Sequence, residues 1–232
     1  MAKIADLEHI STLLRRDVLE ATTMAGSGHP SSCLSCAEIM ASLFFSEMRY
    51  DVKKPDSQDN DVFILSKGHA APILYAALKR AGCIHQDLLK LRTFESELEG
   101  HPVPPLGGWV KVATGSLGQG LSVGVGSALG ARMQKRSSRT YVLLGDSECA
   151  EGSVWEAVEL AAFYQLELCA IIDVNILGQR GKTMLGDNVK DYKKRFESFG
   201  WNAIVVDGHS IAQLSDAFAQ ARKTRGKPSV II

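Results

Sequence analysis

Residues 141–179 constrain the fold more than any other part of the chain. They hold two apolar runs joined by a helical segment, and each run closes on a polar side chain. Tyr141-Val142-Leu143-Leu144 leads into Gly145-Asp146-Ser147, and Leu168-Cys169-Ala170-Ile171-Ile172 leads into Asp173-Val174-Asn175. Runs this short and this uniformly apolar suit strands covered on both faces, and a crossover helix is what a parallel pair requires. Asp146 and Asn175 then emerge at one edge of one sheet, the edge where open α/β sheets bind ligands. A carboxylate and an amide oxygen, with the Leu177 carbonyl within reach, are hard donors suited to magnesium or calcium carrying a phosphate. Asp146 also has a plainer reading as a helix N-cap.

The rest of the chain continues the alternation. Residues 4–24 place Ile4, Leu7, Ile10, Leu13, Leu14, Val18 and Ala21 at helical spacing. Gly26-Ser27-Gly28-His29-Pro30 breaks that pattern, and residues 34–48 read as a second helix. Val62-Phe63-Ile64-Leu65 is a short strand, followed by a helix over residues 70–80 and a Gly/Pro-rich loop over residues 100–108. Residues 115–133 read as a buried helix rich in small residues. Beyond Asn175 come a helix over 191–199, a strand over 202–206, a helix over 210–222 with Ser210 as N-cap, and a strand opening at Ser229. The expected fold class is therefore α/β: a mostly parallel sheet with helices on both faces, in one domain spanning residues 1–232. An apolar, β-branched end at Ile232 reads as a polypeptide that continues, or whose remainder is a separate chain.

Composition narrows the function classes. Lys+Arg and Asp+Glu both number 26, so the formal net charge is zero, which speaks against broad binding to nucleic acid or an anionic membrane. The opening Met1-Ala2-Lys3-Ile4-Ala5-Asp6 has no signal-peptide core, and no run approaches the roughly 18 apolar residues of a membrane span. Five scattered cysteines fit a reducing cytoplasmic setting. Cys33 and Cys36 form a C-x-x-C without the further soft ligands of a zinc site, so they read as buried packing thiols.

Histidine placement is the second signal. His29, His69, His101 and His209 each follow a glycine, where the backbone can approach a ligand closely. The first three, in Gly-His-Pro, Lys-Gly-His-Ala and Gly-His-Pro, are expected to share a pocket; His209 reads as structural, and His9 and His85 as surface or loop residues. Thr114-Gly115-Ser116-Leu117-Gly118-Gln119-Gly120 is a glycine-rich helix entry, suited to an anion or a polar ring edge or simply to close helix packing. Glu151 and Glu156 begin the helix after Asp146, where the helix dipole favours acids.

Taken in order, these motifs resemble the diphosphate-binding half of the transketolases, thiamine-diphosphate enzymes. The resemblance rests on Gly28-His29-Pro30, Leu65-Ser66-Lys67-Gly68-His69-Ala70, Gly100-His101-Pro102, Thr114 to Gly120, and Gly145-Asp146-Ser147 through Glu151-Gly152 and Trp155-Glu156-Ala157 to Asp173-Val174-Asn175. It runs from about Leu13 to the end. Leu177-Gly178-Gln179 and Ala70-Ala71-Pro72-Ile73-Leu74-Tyr75 are most like the animal-type branch. The resemblance implies that Asp146, Asn175 and the Leu177 carbonyl hold Mg²⁺ or Ca²⁺ on the diphosphate of thiamine diphosphate. It places Ser147 at a phosphate oxygen, Gly115, Ser116 and Leu117 along the cofactor pocket, and Gln179 near the thiazolium. His29, His69 and His101 would face substrate and the reacting carbon, work suited to imidazoles that titrate near neutrality. Ser32 and Lys67 would support substrate or cofactor binding. Glu151 and Glu156 would join a carboxylate network across a homodimer interface.

The implied activity moves a two-carbon ketol unit from a ketose phosphate to an aldose phosphate in the pentose phosphate pathway. Two features depart from the family pattern. Ser147 stands where a glycine is usual, either straining or crowding the site or adding a hydroxyl for the phosphate. The pyrimidine-binding domain, whose glutamate activates the cofactor, does not occur in these residues, so a partner half or subunit is expected and the chain alone is expected to be inactive. Two alternatives stand beside this reading: another thiamine-diphosphate enzyme, such as a deoxyxylulose-phosphate synthase or the α chain of a ketoacid dehydrogenase, and a transketolase-like binding protein without catalysis. The three histidines and the Leu65–Ala70 motif favour transketolase.

Overall fold

The computed structural model describes residues 3–232; Met1 and Ala2, the start of the segment read as lacking a signal core, lie outside it. Five strands form one parallel sheet: β1 (Val62–Leu65), β2 (Thr140–Gly145), β3 (Leu168–Asp173), β6 (Asn202–Ile204) and β7 (Ser229–Ile231), in the spatial order β1-β2-β3-β7-β6. The register sets Gly145 opposite Asp173, so the polar residues that close β2 and β3 leave the sheet side by side. Between β3 and β6 lies a two-stranded antiparallel ribbon, β4 (Leu177–Gly178) with β5 (Gly181–Lys182), which the sequence reading did not anticipate.

Strand alternation sorts the core into two layers. Tyr141, Leu143, Cys169, Ile171 and Ile231 pack on one face, against α1 (Ile4–Ala25), α3 (Ala37–Ser42), α4 (Ala71–Arg80) and α8 (Ile211–Lys223). Val142, Leu144, Ala170, Ile172 and Val230 pack on the other, against α5 (Gln119–Met133), α6 (Gly152–Phe163) and α7 (Val189–Ser198). This is the α/β architecture expected from the alternation of apolar runs. All five cysteines are free and buried. Among the described residues no helix is long and apolar enough to cross a membrane.

Local differences from the expected elements have physical causes. The helix expected over 34–48 begins earlier, as α2 (Pro30–Ser35), with proline in the first turn where its missing N–H costs nothing. It breaks at Cys36, resumes as α3, and ends in a π-helical turn over Leu43–Glu47. The helix expected from Gly115 begins at Gln119, because Gly115 (φ 150°) and Gly118 (φ 85°) hold conformations no helix contains. Nor is that helix buried throughout. Gly120, Leu121, Gly124 and Val125 are buried, whereas Met133 is 76% exposed. Ser210 caps α8 as expected, its hydroxyl accepting from the Gln213 N–H.

The start of α5 presses directly on the end of β1. A β-carbon built on Gly120 would lie 2.5 Å from Cβ of Ser66 and 2.7 Å from its Cα. Gly120→Ala is expected to force helix and strand end apart, at a cost of about 1–3 kcal/mol; urea unfolding of the variant checks this.

Candidate functional site

At the C-terminal edge of the sheet, buried charges lace the ends of β1, β2 and β3 to α2 and to the entry of α5. Lys67, just past β1, is fully buried, and its Nζ lies 2.5 Å from Asp173 Oδ2 at the end of β3. The same ammonium donates to the Ser32 carbonyl in α2 (2.9 Å), and the Ser35 hydroxyl donates to the other oxygen of Asp173 (2.6 Å). Glu148, fully buried after β2, accepts from the Gly118 N–H (2.8 Å), the Gly145 N–H (2.8 Å) and the Ser66 hydroxyl (2.7 Å). Burial raises the Glu148 pKa, opposed by these three hydrogen bonds. Glu148 and Asp173 thus join the ends of β1, β2 and β3 and the entry to α5.

Above this lattice the three Gly-His motifs converge. The Ser32 hydroxyl lies 2.9 Å from His69 Nε2. The rings of His29 and His69 meet edge to face with centroids 5.2 Å apart. His101 stands over Gly115, where an added β-carbon would come within 3.0 Å of its ring. Burial holds the His69 pKa down to about 4, reinforced by the nearby Lys67, His29 and His101 and opposed by Asp173. The His101 pKa is also lowered, by burial first and then by His29 and Arg92. His69 is therefore neutral at pH 7.

Asp146 sits beside this cluster, 3% exposed. Its Oδ1 accepts from the Ser147 N–H (3.0 Å), and its Oδ2 accepts from the Ile176 N–H (2.9 Å) and the Thr183 hydroxyl (2.9 Å). All three donors are neutral, and burial raises its pKa despite them. Asn175 Oδ1 accepts from the Leu177 N–H (3.1 Å). Between Asn175 and Leu177, Ile176 takes φ 62°. A β-branched residue in that region is strained, and the bonds from Ile176 to Asp146 and from Thr183 N–H to the Ile176 carbonyl (3.2 Å) hold it there.

These residues fit a divalent metal bound together with a diphosphate. Asp146 is a buried carboxylate with no cationic partner among the described residues, a charge that a metal would compensate. No three His, Cys, Asp or Glu side chains gather as ligands among the described residues. One carboxylate, one amide and one carbonyl leave a metal's remaining positions for ligand oxygens.

The other expected site residues divide by exposure. Ser116, Leu117 and Gln179 are exposed along the rim. Ser147 is half-buried, and its φ lies outside the left-handed region, so the serine does not strain the backbone there. Glu151 and Glu156 are exposed and make no side-chain hydrogen bond or ion pair within the described residues. Lys67 lies beneath the site: its ammonium is enclosed with Asp173 and the Ser32 carbonyl, under the shelf that carries Ser32 and His69. His209 binds Glu38 (2.9 Å) away from the cluster, as its structural reading expected, and His9 and His85 are exposed. Sequence reasoning missed Glu148, Asp173 and Thr183. For Glu148, the only signal was an acid two residues past Asp146.

Residues 7–232 match the family described as "Transketolase, thiamine diphosphate binding domain". The chain is 51% identical to the transketolase of Homo sapiens over 233 residues, which cover 99% of this chain and 37% of the relative. It is 37% identical over 232 residues to one of the subunits of the apulose-4-phosphate transketolase of Phocaeicola vulgatus, covering 99% of this chain and 82% of that one. Among solved structures, the transketolase of Campylobacter jejuni superposes with a TM-score of 0.93 at 32% identity, over 100% of this chain and 38% of that one. The chain thus spans a little over a third of the length of the animal relatives it matches. By sequence and by fold, the chain belongs to the transketolase family, as its thiamine-diphosphate-binding domain.

Proposed function

We propose that residues 1–232 form the diphosphate-binding half of a cytoplasmic ketol-transferring enzyme, completed by a pyrimidine-domain partner in a homodimer or higher assembly. The observation that carries this is the buried Asp146 carboxylate, with no basic side chain paired to it among the described residues, beside the Asn175–Leu177 turn and the three-histidine cluster. Asp146, Asn175 and the Leu177 carbonyl would hold Mg²⁺ or Ca²⁺ on the diphosphate. The Ser147 hydroxyl would meet a phosphate oxygen, Gly115 to Leu117 would line the pocket, and Gln179 would lie near the thiazolium. When bound, thiamine diphosphate supplies the nucleophilic carbon and the electron sink for the two-carbon unit. The chain's own residues orient substrate: His29 and His101 at the exposed mouth engage sugar-phosphate hydroxyls, and neutral His69, held by Ser32, presents an uncharged hydrogen-bonding ring near the reacting carbon. Glu151 and Glu156, exposed in this chain, are available to a second protomer. The relative from Phocaeicola vulgatus, of similar length and named as one subunit of a transketolase, supports work with a second polypeptide. The unstrained Ser147 backbone removes strain as an objection to a phosphate beside it.

Three outcomes test this reading. Calorimetry with the rest of an animal transketolase supplied as a separate chain should show thiamine diphosphate binding that requires Mg²⁺, with little binding of either ligand alone. Asp146→Ala should weaken it at least a hundredfold. Ketol transfer should appear in the mixture and not with this chain by itself, and turnover by this chain alone would overturn the need for a partner.

Lys67→Met leaves Asp173 buried and unpaired and should cost about 3–5 kcal/mol in denaturant unfolding; adding Asp173→Asn should recover much of that loss, as a double-mutant cycle would show. The pH dependence of stability reports on His69. Its folded pKa, about 4, lies below the ordinary 6.5, so the neutral ring contributes stability present above pH 6.5 and lost as pH falls toward 4. The stability of the native protein relative to His69→Gln should therefore decline across that window in paired urea titrations, and a constant difference would mean an ordinary His69 pKa.

A further inference from the structure

The opposite, N-terminal edge of the sheet carries a cleft that the ketol-transfer reading does not use. It encloses about 350 Å³, and its charged lining residues are Arg49, Arg132, Arg136, Arg139, Arg225 and a single acid, Glu167. The arginines come from four places: the loop before β1, the end of α5 and the turn after it, the residue before β2, and the loop between α8 and β7. Two are matched: Arg49 with the buried Asp61 (3.0 Å) and Arg225 with Glu167 (2.5 Å). Arg132, Arg136 and Arg139 have no carboxylate partner among the described residues. The Arg132 guanidinium donates to the Tyr164 carbonyl. The Arg136 guanidinium donates from Nη2 to the Gln134 side-chain oxygen, while its buried Nε has no partner among the described residues. Arg139 makes no side-chain hydrogen bond among the described residues, and the nearby acid it acts on is Glu47.

The helix dipole accounts for part of this, since cations are favoured at the end of α5. It does not account for Arg49, Arg139 and Arg225, which other elements bring to the same space. In a chain with no net charge, three guanidiniums that no carboxylate pairs among the described residues, held by neutral oxygens or by none, leave this one cleft locally cationic. Planar guanidinium forks match phosphate oxygens two at a time, and Ser137 and Ser138 in the lining add hydroxyls. The volume suits a small ester better than a bare ion.

We propose that this cleft is a second ligand site, for the phosphate group of a small phosphate monoester. It is separate from the diphosphate site, because β2 alone, from Thr140 to Gly145, puts roughly 17 Å between the two edges. The probe is phenyl phosphate, which carries no sugar hydroxyls, titrated calorimetrically into the full chain at constant ionic strength. Saturable binding is expected, at least tenfold tighter than for sulfate and undisturbed by excess thiamine diphosphate with Mg²⁺. The double variant Arg136→Gln/Arg139→Gln should lose at least tenfold in affinity. Lys79→Gln on α4 should lose none, and Arg136→Lys, which keeps charge but not the fork, should fall between. Unchanged binding in the double variant, displacement by thiamine diphosphate, or binding no tighter than sulfate would each overturn the proposal. Should the double variant unfold, Arg136→Gln alone, with its fold checked by thermal denaturation, decides the matter: a loss of at least threefold supports the site, and a smaller loss overturns it.

Discussion

The ion pair between Lys67 and Asp173 is the constraint on which the site rests. It bridges the ends of β1 and β3 across the intervening β2, and it binds α2 through Ser32 and Ser35. A pair this deeply enclosed adds little to net stability compared with well-packed apolar residues, yet breaking it by removing one partner is costly. What it secures is geometry. Glu148 extends the same lattice to the glycine-rich entry of α5. The ends of β1, β2 and β3 and the entry to α5 are therefore not free connections; buried charged and hydroxyl groups tether them from beneath.

That lattice also sets the electrostatics above it. The enclosed ammonium of Lys67 acts with burial and the neighbouring rings to keep His69 neutral. Just past β2, Asp146 is surrounded by neutral donors and has no positive partner among the described residues. One side of the cleft thus resists taking up a proton, while the other is short of a positive charge. Such opposed environments on neighbouring groups mark places built for a ligand rather than for stability.

Much of this was legible in the chain, for a physical reason. Apolar runs report their own burial, and the polar residues that end them report the sheet edge, so Asp146 and Asn175 could be placed from pattern alone. The Gly-His repeats likewise marked backbone that must come close to something. The partners of buried charges carry no such local signal. Asp173 reads as the residue before a loop until Lys67, 106 positions away, is brought to it, and Glu148 reads as an acid in a turn. Lys67 sits in a conspicuous motif, and its burial is invisible there because lysine is ordinarily exposed. The limits of α5 were misplaced for a different reason: its small residues look helical, while the handedness of Gly115 and Gly118 appears only in three dimensions.

The strand order has a consequence for how the chain can be made. β6 does not touch β3; β7, the strand that follows it, is inserted between them. As the polypeptide leaves the ribosome from its amino end, β1, β2 and β3 can assemble while β6 waits without a neighbour and the outer edge of β3 stays open. Only when residues 229–231 emerge does the sheet close over that gap. Until then the nascent chain exposes an unpaired, apolar strand edge, the state most prone to mispairing during synthesis.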